Sequence, residues 1–400
     1  MTHKIAPGIR FKAKLPQENT SKESMPKHPS KNGRLGKVVL FALPLLGASC
    51  GSSDWQEDRQ GILHMSIPGS WRAIASTSPN DAWLAGSSGE WVHMTHSEGA
   101  GTVRRMADQG VLVSDSLAPL HFRGIAVTSE AVIATGIASP AHIQRAAIQA
   151  DGTVTLPRQS VWVSTDSAAF MDAIIALDDQ TLIAMGDPLG TCLCVVRSED
   201  GGQTWKKMPC ADFIDLGVPQ AMPGEAAFAA SNGNLAAQGD TVWMLSGGGA
   251  SRVYRSTDRG IHWQVFPTPL QQGGQMTGGF SMDFADAQRG IIWGGNWEAK
   301  DDRNGRAAIT EDGGATWTVV AEDHGPGYGS SVRYQPGSGG RHVVVVGTPG
   351  GIDLSEDGGR NWRHFSDSAF YAARFSPDGS TLWLSGNGNM AMVSAHDLGW

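Results

Sequence analysis

The chain has 400 residues, room for one large or two ordinary domains, with 52 glycines, 14 tryptophans against 4 tyrosines, and only 18% charged residues. That much glycine, with valine, isoleucine, threonine and tryptophan in short runs, favours an all-β chain rich in turns. The net charge of −8 is split, with residues 1–37 summing to +7 and the remainder to −15, so the body excludes nucleic-acid binding through bulk charge.

The basic start leads into "VVLFALPLLGASC", Val38 to Cys50. This apolar run is too short to span a bilayer and fits the core of a secretory signal. Residues 1–50 are expected to be a signal segment whose end, "LLGASC", resembles a bacterial lipoprotein cleavage box with Cys50 as the lipidated residue. Leu46 stands one place too far from Cys50 for a perfect box, and the long basic region leaves Met25 open as the true start. Gly51 after the cysteine favours an outer-membrane anchor over inner-membrane retention, so the expected location is the periplasm or cell envelope. Residues 51–60 read as a linker.

From Gly61 onward the sequence repeats. A short apolar run ending in glycine occurs seven times: at Gly86, Gly136, Gly186, Gly247, Gly294, Gly347 and Gly386. Before each lies another apolar run: "WRAIA", "FRGIA", "MDAII", "EAAFAA", "SMDFA", "SVRYQ" and "YAARF". Turn sequences such as "SPND", "LDDQ" and "SPDG" separate them. Four of the units then carry Ser/Thr-x-Asp-x-Gly-x-x-Trp: "SEDGGQTW" (Asp200, Trp205), "STDRGIHW" (Asp258, Trp263), "TEDGGATW" (Asp312, Trp317) and "SEDGGRNW" (Asp357, Trp362). Each unit reads strand, turn, strand, glycine, strand, Asp turn, strand, which is the pattern of a propeller blade. The last unit stops at Trp400 one strand short, and "GILHMSI", Gly61 to Ile67, is left over to complete it. The expected fold is an all-β, seven-bladed β-propeller over residues 61–400, its ring closed by the N-terminal strand.

The four Asp motifs resemble the Asp-box (BNR-type) turn of sialidases, sortilin-type receptors and photosystem II assembly-factor propellers. In such a turn Asp and Ser/Thr hold backbone N–H groups, glycine supplies positive φ, and Trp docks the turn. Four copies of one acid on a rim argue for structure over catalysis, and the alternating ligands of an EF-hand are absent. Over Trp71 to Trp400, "FRGIA", "MGDP", "GEAAFAAS", "RSTDRGIHW" and "AARFSPDG" resemble exported bacterial propellers labelled photosystem II stability/assembly factor-like, or loosely oxidoreductase or glycosyl hydrolase. The resemblance implies the fold and a binding or assembly role.

Candidate site residues follow from the propeller hub. One charge per unit falls in or before each expected first strand: Arg72, Arg123, Asp172, Glu225, Asp283, Arg333 and Arg374. They form either a mixed ring that recognises a polar or anionic group or a set of interblade pairs. Their registers differ, so they cannot all face one side. Asp187 in "MGDPLG" is either a mouth residue or an Asx turn before Pro188, and Trp297 in "GGNWEAKDD" is either an aromatic platform or a loop anchor. For a glycoside hydrolase, the carboxylate pair would come from Asp172, Asp187, Glu225 and Asp283. Of the remaining cysteines Cys192, Cys194 and Cys210, an oxidising compartment permits one disulfide and leaves one thiol. No metal or cofactor is expected: the chain lacks a strand–GxGxxG–helix unit and a Cys-x-x-Cys-His haem motif. The expected function is a lipid-anchored scaffold binding a protein or glycan partner at one propeller face, with glycoside hydrolysis as the alternative.

Overall fold

The computed structural model describes residues 55–400 apart from 98–99, 108–119, 138–139, 156–159, 212–216 and 323. The signal segment, Cys50 and residues 51–54 lie outside the described residues. Every regular element described is a β-strand, and among the described residues no helix is long and apolar enough to cross a membrane. The folded chain starts earlier than expected: Gln56–Glu57 pairs with Leu63–His64, inside the stretch read as linker.

The described strands form six antiparallel sheets, and the largest joins the first and the last of them. Its long strand Leu63–Ser78 pairs through Leu63–Ser70 with the C-terminal Asn387–Ser394, and through Trp71–Ser78 with Asp81–Gly86. This strand opens a series of inner strands continued by Phe122–Val127, Met171–Ala176, Leu235–Gln238, Thr277–Phe284, Ser331–Tyr334 and Ala372–Phe375. Each packs against the next, and the last against the first. Apolar clusters fill the spaces between successive sheets, such as Ile133 and Ile143 against Ile174 and Val196, or Val344 and Leu354 against Leu382 and Leu384. The second strands therefore have both faces covered, which is why they read as continuous apolar runs: Val343 to Val346 and Ile291 to Trp293 are fully buried. The glycines that end them admit close backbone approach. A Cβ at Gly186 would lie 2.0 Å from the Phe170 carbonyl oxygen, and one at Gly294 would lie 1.7 Å from that of Gly278.

The Ser/Thr-x-Asp turns share one set of hydrogen bonds. Asp200 Oδ1 accepts from the Gln203 and Thr204 amides at 3.0 and 2.8 Å, and Oδ2 accepts from Thr204 Oγ1 at 2.6 Å. Ser198 Oγ accepts from the Gly202 amide, and Trp205 Nε1 donates to Gly202 O at 3.0 Å. Asp258, Asp312 and Asp357 accept likewise from the amides three and four residues on, and Trp263, Trp317 and Trp362 close their turns as Trp205 does. The turns also join sheets. Arg145 Nε donates to Gly201 O, Arg197 Nε to Arg259 O and Arg255 Nη1 to Gly313 O, in each case from a third strand to the next sheet's turn. In the sequence this arginine staple shows only as Arg145 within "HIQRAAI", Arg197 within "LCVVRS" and Arg255 within "RVYRS".

One expectation is corrected here, and the expected single disulfide is assigned. The fourth inner strand is Leu235–Gln238, whereas Glu225–Ala226 from "EAAFAA" pairs with Gly247–Gly248 and joins the following sheet. The cysteines resolve as a Cys192–Cys210 disulfide with a Cα–Cα distance of 5.5 Å. Cys194 is a buried free thiol packed on the opposite side of its sheet from Cys192.

Candidate functional site at the hub mouth

Strand direction defines two ends of each sheet. In the third sheet Leu182 pairs with Ala176 and Ser198 at the Asp-turn end, while Met171 pairs with Gly186 at the other. Arg72, Arg123 and Asp172 all occupy that second end. Each sits where the register skips a residue, between Trp71 and Ala73, Phe122 and Gly124, and Met171 and Ala173. A bulge releases its residue from the two-residue alternation and re-aims the side chain. Thr277–Phe284 has the same irregularity at Phe280, so Phe280, and not Asp283, is the equivalent position in that strand.

The hub between these strands is filled by the chain itself. After Glu225–Ala226 the segment Ala227 to Gly233 crosses it and bonds to six inner-strand regions. Arg123 Nη1 donates to Ala229 O at 3.1 Å and Arg72 Nη1 to Ala230 O at 3.3 Å. Ser231 Oγ donates to Ser330 O, and Arg374 Nη2 donates to Asn232 O at 2.6 Å. Asn232 Oδ1 accepts from the Ile174 amide at 2.8 Å, and its Nδ2 donates to Ile125 O at 2.9 Å. The Met282 amide donates to Gly233 O at 2.7 Å. Asn232 has φ of +56°, a conformation that asparagine tolerates better than most residues. A backbone segment buried in a hub must find partners for every polar group, and here the inner strands supply them. The sequence held one sign of this plug. Glu225 stands 22 residues before Gly247, whereas Arg72 stands 14 before Gly86 and Asp172 14 before Gly186.

Around the plug the charges divide. The Arg72 guanidinium lies 3.7 Å from the Tyr371 ring centroid. Arg123 Nε donates to His121 Nε2 at 2.9 Å, which fixes the His121 proton on Nδ1. Burial, then Arg123 and Arg72, push His121 down to about 4, so it is neutral at pH 7. Burial and Arg72 lower Arg123 to about 10, against the opposing pull of Asp172 and Tyr371. Beside this basic arc, Asp172 is fully buried, and neither of its oxygens has a hydrogen-bond partner of standard geometry. Burial first and Asp187 second raise its carboxyl well above the usual range, only partly opposed by Arg123 and the Asp187 amide. Asp187 Oδ1 accepts from the Ala227 amide at 2.9 Å, and burial outweighs that bond, raising Asp187 to about 6.

The other candidates lie elsewhere. Glu225 is buried under full obligation: its oxygens accept from Ser246 Oγ, Tyr254 Oη, Arg252 and the Met222 amide. It is a structural carboxylate whose oxygens are engaged by these partners, not a free acid. Asp283 and Arg333 are buried between sheets, where Asp283 Oδ2 accepts from the Tyr334 amide and Arg333 Nη1 donates to Met282 O. Their expected place in a hub ring is therefore corrected, because their register carries them past the bulged end. Arg374 reaches the hub but is spent on the plug. Trp297 is partly buried beside Phe228, Phe280 and Tyr328, with Lys300 Nζ 4.9 Å from its ring centroid. Of the four acids offered as a catalytic pair, only Asp172 and Asp187 come together. A cavity of about 530 Å³ beside His262 and Trp263 is lined by no carboxylate, and one of about 370 Å³ between Pro188 and Pro223 has Glu225 in its wall.

No family model matches the chain. An oligoxyloglucan-reducing end-specific xyloglucanase of Emericella nidulans is 30% identical over 119 residues, a match that spans 28% of this chain and only 14% of that enzyme. Among solved structures, YCF48 bound to D1 peptide superposes with a TM-score of 0.57 at 14% identity, covering 88% of this chain and all of that one. YCF48 from Cyanidioschyzon merolae gives 0.54 at 15% identity, covering 83% of this chain and 98% of that one. The RRP9 WD40 repeats give 0.53 at 10% identity, covering 82% and 95%. At these identities the likeness concerns fold alone. Together with the antiparallel sheets and the cycle of inner strands, it identifies the described chain as a β-propeller.

Proposed function

We propose that the chain is an exported, lipid-anchored, seven-bladed propeller with Asp-box turns that binds a protein partner at the hub mouth opposite those turns. The seven-bladed reading is supported by the long strand Leu63–Ser78, which serves the last unit with one half and the first with the other. The observation that carries the functional reading is the plug. It floors the hub, so a ligand meets a shallow mouth instead of a channel. That floor holds Arg72 and Arg123 by their carbonyl contacts and presents them beside Tyr371, His121, Phe228 and Trp297. Arginine and aromatic side chains on a pre-formed floor suit a protein surface better than a small substrate. YCF48, similar in fold, has been solved with a D1 peptide, which agrees with a peptide or protein partner here. The test is partner capture from a cell-envelope extract by wild type, Arg72→Ala/Arg123→Ala and a rim control. Equal capture by all three would remove the mouth from the account.

Two observations favour a second reading, glycoside hydrolysis: Asp172 and Asp187 are adjacent acids with raised pKa values, and a xyloglucanase gives a partial match. Release of reducing sugar from xyloglucan oligosaccharides, abolished by Asp187→Asn, would establish it.

A further inference from the structure

The mouth contains a buried acid that nothing in the fold neutralises. Asp172 is fully buried, neither of its oxygens has a hydrogen-bond partner of standard geometry, and the Asp187 amide is the one backbone donor that bears on it. Arg123 is the cation that feels its charge, yet Arg123 is turned to His121 and Ala229 O and forms no ion pair with Asp172 among the described residues. A buried carboxylate without an ion-pair partner is costly, so burial pushes Asp172 toward its protonated form.

We propose that Asp172 and Asp187 together receive one primary ammonium group carried by the bound partner. This rests on the mouth being the partner site. Three counts support a primary ammonium. Its three N–H donors require three acceptors, and the two carboxylates offer three oxygens once Asp187 Oδ1 is given to the Ala227 amide. The charges agree as well: two carboxylates against Arg123 leave a deficit of one positive charge, which a monocation fills and a divalent ion overfills. Calcium would also ask for six to eight oxygens, and no third His, Cys, Asp or Glu joins the pair among the described residues.

Asp187 is partly exposed and is the point of entry. As the ammonium settles, the Asp172 O–H bond breaks, the proton leaves to solvent, and the carboxylate accepts from N–H. Binding therefore tightens as pH rises. The shifted groups facing the pair do not compete between pH 5.5 and 8: Arg123 is lowered only to about 10, His121 is pushed down to about 4, and burial holds the Cys194 thiol at about 11. Asp166 and Lys207 lie on the Cys194 side.

The ammonium comes from a lysine side chain or from a free amino terminus. Thermal shift and calorimetry on the intact protein separate these with Nα-acetyl-lysine amide and alanine amide as probes, n-butylammonium as the minimal ligand and N-butylacetamide as the uncharged control. The expected result is saturable binding of n-butylammonium and of at least one amine probe, at least tenfold weaker in Asp172→Asn and Asp187→Asn and tighter at pH 8 than at pH 5.5. Both variants remove a buried acid and are expected to stay folded, which their own melting curves report. Equal binding to wild type and variants, equal binding of N-butylacetamide, or stabilisation by calcium without any by n-butylammonium would overturn the proposal. Partner capture by wild type and by Arg72→Ala/Arg123→Ala, measured beside n-butylammonium binding by wild type, keeps the two readings apart. Capture that depends on the two arginines without ammonium binding would overturn only the ammonium receptor.

Discussion

Replacing Asn232 by alanine tests whether the chain plugs its own hub. The side chain is 4% exposed and bridges two sheets, accepting from the Ile174 amide and donating to the Ile125 carbonyl. Alanine leaves both backbone groups buried without partners, at about 1–3 kcal/mol each. It must also adopt the left-handed backbone at this position, at about 1–2 kcal/mol. The expected loss is about 5 kcal/mol, a large part of the stability of an ordinary domain. Asn232→Gly keeps the orphaned groups but relieves the strain, so it should recover about 1 kcal/mol. Equilibrium urea unfolding followed by tryptophan fluorescence gives both numbers. If Asn232→Ala stays within 1 kcal/mol of wild type, the segment does not hold the inner strands as described.

Other consequences follow from the same contacts. Asp187 titrates at about 6, above the ordinary 3.8, so the stability it contributes is complete below pH 4 and is lost as pH rises through 6. Asp187→Asn should flatten the unfolding free energy across that window, and Asp172→Asn should do the same in the same direction. Asp312 is lowered to about 2 by its hydrogen bonds to Thr316, Thr310 and Ala315, which outweigh burial, so its contribution is present above pH 4 and lost as pH falls toward 2. Asp312→Ala should cost about 1.5–3 kcal/mol at pH 7, read by denaturation. Replacing Cys192 and Cys210 together by serine opens a loop with a separation of 18 residues and should cost about 3 kcal/mol in urea unfolding under oxidising conditions.

Much of the fold was legible because the same physics repeats. Second strands covered on both faces must be apolar throughout, and a glycine must follow where the chain passes a carbonyl, so "LIAMG" and "IIWGG" announce themselves. The Asp turns were equally readable, since their hydrogen bonds are local. The plug was not. "EAAFAAS" has the small and apolar residues of a strand, and only tertiary contacts send it across the hub. Glu225 was misplaced with it, because its partners Arg252 and Tyr254 lie beyond the next strand. The bulges at Arg72, Arg123, Asp172 and Phe280 were hidden for a related reason. A skipped register is a property of two paired strands, and neither strand alone records it.

The claim that the hub mouth is the binding face is tested most directly by site-specific photo-crosslinking in the native cell envelope. A photo-reactive residue at His121 or Trp297 reports the mouth, and one at Glu311 or Arg289 reports the Asp-turn end. The account predicts a discrete crosslinked partner from the mouth positions alone, lost when Arg72→Ala/Arg123→Ala is combined with the probe. A partner captured from the Asp-turn end, or a mouth crosslink indifferent to both arginines, would contradict it.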